Sequence, residues 1–119
     1  MLFQNTQHYI LNVQIEKAEK RKIWLKCGGF IVIDKTEALT AIDVNSGKYI
    51  GKDNLESTIY KVNKEASIEI AKQLRLRDIG GIIIIDYIDM DKSEDEKNIY
   101  DLLVKCLKKI SQKLEILFV

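Results

Sequence analysis

Four isoleucines in a row, Ile82 to Ile85, follow the glycine pair Gly80-Gly81 and end on Asp86. β-Branched side chains are stiff at χ1 and pack well on a pleated surface, so the run reads as a strand. It shows no polar alternation. That predicts a strand covered on both faces, the buried central strand of a sheet. Burying Asp86 without a partner costs too much free energy, so the strand must end beside solvent, a cation or a hydrogen-bond donor.

The rest of the chain arranges itself around that strand. Lys22-Ile23-Trp24-Leu25 and Phe30-Ile31-Val32-Ile33 flank the turn signal Gly28-Gly29 and predict a hairpin. Asp34-Lys35-Thr36 turns again, and Leu39 to Val44 forms a third strand, completing an antiparallel meander. Gly47 and Gly51 punctuate a loop. Asp53 then caps a long helix with Glu56 as its capping-box partner, and Leu55, Ile59, Val62, Ala66, Ala71 and Leu74 form its buried stripe. That helix is expected to stop near Arg77, before Gly80-Gly81. Ser93 with Glu96 predicts the cap of a second amphipathic helix carrying Ile99, Leu102, Leu103, Cys106, Leu107 and Ile110. Leu114 to Val119 reads as a last strand. Tyr9 to Lys20 fits either a strand or a helix, and its good helix formers favour the helix. The expected fold is α/β: a mixed sheet with an N-terminal antiparallel meander, two long amphipathic helices and the buried central strand.

Two apolar runs end in acids. Thr40-Ala41-Ile42-Asp43-Val44-Asn45 delivers Asp43 as the isoleucine run delivers Asp86. Two carboxylates brought together on rigid strand ends suit a hard cation such as Mg²⁺, which takes oxygen ligands and keeps several waters for a phosphate to displace. The competing reading is that Asp43 only caps a turn. Asn45, two residues on, shares the Asp43 face if the strand continues, where it can orient that carboxylate or a phosphate. Asp89 is either a supporting acid or a turn residue. Lys48, Lys52, Arg75 and Arg77 form either a phosphate-contacting rim or solvated positions, with the arginines serving the helix dipole.

Other chemistries find little support. The single histidine, His8, lies at the start of the sequence, so no Ser/His/Asp or Cys/His set is available. Cys27 and Cys106 form no CxxC pair, so zinc or redox chemistry is not expected. The 119 residues suit one domain, 1–119, without repeat or linker. No window is apolar enough to span a membrane and Gln4, Asn5, Gln7 and His8 interrupt any leader, so a cytoplasmic setting is the default. A net charge of +1 is a weak footprint for a stand-alone nucleic-acid binder.

Longer runs carry a resemblance. Gly28-Gly29-Phe30-Ile31-Val32-Ile33-Asp34-Lys35-Thr36-Glu37-Ala38-Leu39, the Thr40 to Lys48 segment, Ile70-Ala71-Lys72-Gln73-Leu74-Arg75-Leu76-Arg77-Asp78-Ile79-Gly80-Gly81 and Ile85-Asp86-Tyr87-Ile88-Asp89-Met90 closely resemble the catalytic core of the ribonuclease E/G family. Asn63, Glu65-Ala66 and the lead-in Gln14 to Leu25 fit as well, so the resemblance spans roughly residues 14–112. It implies a DNase-I-like subdomain. It implies that Asp43 and Asp86 are the catalytic aspartates that bind Mg²⁺, with Asn45 in support. The implied activity is endoribonuclease hydrolysis of single-stranded RNA in RNA processing and decay, and full-length members of the family form homo-oligomers.

Departures from the family pattern also carry expectations. No S1 domain, 5′-monophosphate pocket or zinc-linking CPxC motif is visible, and Cys27 stands where a serine or similar turn residue is expected. The sequence ends inside an apolar strand, so a fragment of a longer chain is expected, with weak or no cleavage by itself. The alternative is a non-catalytic RNA-binding or assembly module on the same fold. A small-molecule phosphohydrolase would require a deep pocket beside Asp86.

Overall fold

Strand and helix alternate as the hydrophobic periods dictate. The computed structural model describes residues 21–47, 55–108 and 114–118. The helical reading of Tyr9 to Lys20, the Asp53 cap, Lys48 and Lys52 lie outside the described residues. The elements run β1 (Lys22–Trp24), β2 (Phe30–Lys35), β3 (Thr40–Asn45), α1 (Leu55–Leu76), β4 (Gly81–Asp86), α2 (Ser93–Leu107) and β5 (Leu114–Phe118). They build a five-stranded mixed sheet in the order β1-β2-β3-β4-β5. The first three strands are the antiparallel meander; β3, β4 and β5 are mutually parallel.

Parallel neighbours need crossovers, and both crossovers here are helices. Strand order advances in one direction through β3, β4 and β5, so right-handed connections place α1 and α2 on the same face of the sheet. The core lies between that face and the helices. Ile31, Ile33, Ile42, Val44, Ile83 and Ile85 meet Val62, Ala66, Ile70, Leu74 and Leu103 there. No described helix is long and apolar enough to cross a membrane.

The expectation that the isoleucine strand is covered on both faces is corrected. Ile83 and Ile85 are fully buried, but Ile82 is 38% exposed and Ile84 half-buried. Among the described residues, both helices lie on one side, and the other face of β4 is open. β4 is interior to the sheet, with β3 at the middle of the strand order.

Of two helix ends, that of α1 falls near Arg77 as expected and that of α2 differs. α1 closes through a Schellman motif: the Ile79 N–H donates to the Leu74 carbonyl (3.0 Å) and the Asp78 N–H to the Arg75 carbonyl (3.2 Å). Asp78 takes the left-handed conformation (φ 54°), so the helix stops before the glycine pair is reached. Ile79 and Leu74, both buried, supply the apolar contact that accompanies this motif. At α2 the N-cap is Lys92, which makes no side-chain cap bond. Ser93 is already helical, so the predicted capping box does not form; Glu94, Asp95 and Glu96 favour that end through the helix dipole.

Candidate active site

β3 and β4 pair in parallel with Thr40 opposite Ile83, Ile42 opposite Ile85, and Asp43 opposite Asp86. The two-residue period of a strand then does the sorting. Ile42, Val44, Ile83 and Ile85 enter the core, while Asp43 and Asp86 emerge on the open face, both exposed. A slip of one residue in either strand would send its carboxylate into the helix layer, so the core fixes the pairing. Neighbouring strands lie about 4.8 Å apart, which brings the two carboxylates to the same spot at the carboxyl ends of a parallel pair. That edge is where open α/β sheets bind ligands.

The electrostatics follow from the pairing. Burial raises the Asp43 pKa above its ordinary value, and the charge of Asp86 raises it further; a hydrogen bond from the Val44 backbone works in the opposite direction. A cation between the two carboxylates would relieve that repulsion. The donors present are oxygens: two carboxylates and the nearby Asn45 amide. Among the described residues no group of three His, Cys, Asp or Glu side chains gathers to enclose a metal. Two carboxylates with open surroundings suit Mg²⁺, which binds through one or two carboxylates and leaves its other positions to water and phosphate.

β3 continues through Asn45, so Asn45 shares the face of Asp43 and lies opposite Phe30 of β2. Its Oδ1 accepts a hydrogen bond from the Gly47 N–H (2.8 Å), which fixes the side chain over the turn. Glycine is required beside it. A Cβ on Gly29 would lie 2.8 Å from the Asn45 carbonyl, and one on Gly47, at φ 61°, would lie 2.5 Å from the Gly28 carbonyl. The hairpin turn therefore nests against the end of β3, and the Cys27 N–H is held by the Glu65 carboxylate of α1 (3.1 Å).

The chain beyond Asp86 is held by α1. Asn63 is fully buried, donating from Nδ2 to the Ile88 carbonyl (2.9 Å) and accepting from the Ile88 N–H at Oδ1 (3.2 Å). Ser67, one turn on, hydrogen-bonds the Tyr87 hydroxyl and the Asn63 carbonyl. Burial pushes the Tyr87 pKa up to about 12, partly offset by the bond to Ser67. Hydrophobic periodicity assigns no role to Asn63 or Ser67, although Asn63 lies within the family resemblance. The signal was present: both fall within the apolar stripe of α1, where a polar side chain needs a partner.

The remaining candidates do not gather at the aspartates. Lys48 and Lys52 lie outside the described residues. Arg75 and Arg77 lie at the end of α1 that feeds the start of β4, whereas Asp86 ends that strand, five residue steps or about 17 Å away. Arg77 Nε donates to Gln73 Oε1 (3.0 Å) along the helix. Asp89 is exposed and lines a cleft of about 550 Å³ with Tyr87, Met90, Glu96 and Tyr100. Neither Asp43 nor Asp86 lines that cleft, so it is not the deep pocket a small-molecule phosphohydrolase would require.

Comparison with known proteins agrees with the residues. A family model described as the Ribonuclease E/G family matches residues 3–119. A Ribonuclease G of Salmonella typhimurium (strain SL1344) is 44% identical over 108 residues, 91% of this chain and 22% of its own length. A Ribonuclease E of Escherichia coli (strain K12) is 44% identical over 109 residues, 92% of this chain and 10% of its own length. The chain thus spans less than a quarter of these curated relatives. A solved human cytomegalovirus terminase nuclease domain, Mn soaked and inhibitor bound, superposes with a TM-score of 0.42 at 16% identity. It covers 76% of this chain and 39% of its own, and a score that low defines no shared fold.

Proposed function

The chain belongs to the ribonuclease E/G family, and from that premise we propose that Asp43 and Asp86 are its catalytic pair, holding Mg²⁺ for endonucleolytic hydrolysis of single-stranded RNA in the cytoplasm. In this reading the domain is the DNase-I-like subdomain of a larger enzyme. The observation that carries the proposal is the in-register pairing of Asp43 with Asp86 on the open face of the sheet.

Each carboxylate would offer oxygen to the metal from a backbone that cannot shift without disturbing the core. When bound, Mg²⁺ supplies a Lewis acid for a phosphoryl oxygen and a water acidic enough to act as nucleophile. Asn45 Oδ1 accepts from the Gly47 N–H, which would leave its amide N–H groups to serve the Asp43 carboxylate or a substrate phosphate. Asn63 keeps the segment after Asp86 in register, so the second carboxylate stays where the first can share a ligand with it. Lys48 and Lys52, just beyond β3, are assigned to phosphate contacts; Arg75 and Arg77, at the far end of α1, stand apart from the scissile position.

The test is RNA cleavage by the complete natural chain that carries this sequence. Asp43→Asn and Asp86→Asn should each abolish Mg²⁺-dependent cleavage of a single-stranded oligonucleotide and leave RNA binding in place. Cleavage at the wild-type rate by either variant would refute the assignment. A purely RNA-binding or assembly role predicts no cleavage by the wild type.

A further inference from the structure

The open face carries more than acids. Lys22 and Trp24 of β1 point to it, as do Phe30 and Val32 of β2, because their neighbours Ile23 and Ile31 pack toward the helices. Trp24 is 59% exposed, while Phe30 is half-buried. Their ring centroids lie 5.1 Å apart with the planes tilted by 60°. The Lys22 ammonium sits 4.5 Å from the Trp24 ring centroid and 4.2 Å from that of Phe30.

Register ties this cluster to the aspartates. Trp24 lies opposite Phe30, and Phe30 opposite Asn45, forming one row across three strands. The adjacent row on the same face runs Lys22, Val32, Asp43, Asp86. Strand spacing puts Trp24 about 10 Å from Asn45 along its row. An exposed tryptophan, a second ring and a lysine thus border the acidic pair on one surface.

We propose that Trp24 and Phe30, with Lys22, form a nucleobase-stacking platform that seats a nucleotide flanking the scissile phosphate of single-stranded RNA. The proposal rests on the assignment of Asp43 and Asp86 as the catalytic pair. Three features select RNA as the occupant. Aromatic rings on a sheet face stack any base, which suits a strand-tracking site without strict sequence readout. The Lys22 ammonium adds the positive charge that a nucleotide phosphate requires and that an apolar protein segment does not. The platform also adjoins the carboxylates, so a chain lying across it leads straight to the metal position.

The experiment measures RNA affinity of the complete natural chain in chelator, where no cleavage occurs, using fluorescence anisotropy of a labelled single-stranded oligonucleotide. Trp24→Ala should weaken binding by roughly 5- to 150-fold, the range of one lost base stack. Trp24→Phe should retain most of the affinity. In a series with one abasic nucleotide moved along the oligonucleotide, the Trp24→Ala penalty should vanish at one position, as a double-mutant cycle requires for a direct contact. Affinity within twofold of wild type for Trp24→Ala overturns the platform. So does a penalty that persists at every abasic position, which would mean that Trp24 packs on another part of the protein. Cleavage by the aspartate variants and affinity in chelator are separate readouts, so the catalytic assignment and the platform can fail independently.

Discussion

Asp43 and Asp86 stand opposite each other on two parallel strands, and the charge of Asp86 helps to raise the pKa of Asp43. Two like charges are thereby held together by strands whose other faces form the core.

That arrangement has a pH consequence. The folded chain holds the Asp43 proton more tightly than the unfolded chain does, so stability falls as pH rises from the ordinary value of 3.8 through the raised folded value. Above that window the ionised pair costs stability. Asp43→Asn should therefore stabilise the metal-free protein at neutral pH, by no more than about 1 kcal/mol because solvent screens the exposed pair. The gain should disappear at a pH below 3.8. Thermal melts at the two pH values, in chelator, check both statements.

Asn63→Ala should damage both stability and metal binding. It removes both hydrogen bonds to the Ile88 backbone from a fully buried position. Each orphaned group costs about 1–3 kcal/mol. Urea unfolding should show a loss in that range or above it. Mg²⁺ affinity measured well below the unfolding midpoint should drop as well, since the segment after Asp86 is released. A stability loss with unchanged metal affinity would show that the clamp serves the fold alone.

Gly29→Ala and Gly47→Ala should both destabilise. The new methyl at position 29 meets the Asn45 carbonyl at 2.8 Å and Val62 Cγ1 at 3.1 Å, and the backbone atom cannot give way cheaply. Overpacking of this kind costs about 1–3 kcal/mol. Position 47 should be worse, because a positive φ of 61° adds strain to a 2.5 Å approach to the Gly28 carbonyl. Chemical denaturation of both variants ranks them directly.

Much of this arrangement could be read from the sequence. The turn signal Gly28-Gly29, the Asp43 and Asp86 strand ends and most of the two amphipathic stripes match the structure, because local propensity and tertiary packing agree there; Leu55, expected in the buried stripe of α1, is 72% exposed in its first turn. The exceptions have specific causes. Four isoleucines look the same whether a second layer covers them or not, so the open face at Ile82 and Ile84 was invisible to patterning. The end of α1 falls near Arg77 as expected, but the left-handed backbone of Asp78 closes the helix rather than the glycine pair. Ser93 satisfied a capping pattern, but the chain enters α2 one residue earlier, at Lys92. Arg75 and Arg77 looked like companions of the acids by charge alone; the direction of α1 carries them to the other end of β4. Family resemblance gave Asp43 and Asp86 a catalytic meaning that spacing alone left open.

Magnesium binding tests the central claim most directly. Isothermal titration of the complete natural chain with Mg²⁺ at neutral pH should show affinity that Asp43→Asn and Asp86→Asn each weaken by about tenfold or more, since each removes one of the two proposed charged ligands. Arg75→Ala, at the far end of α1, should bind as wild type does. Unchanged Mg²⁺ affinity in both aspartate variants would contradict the account.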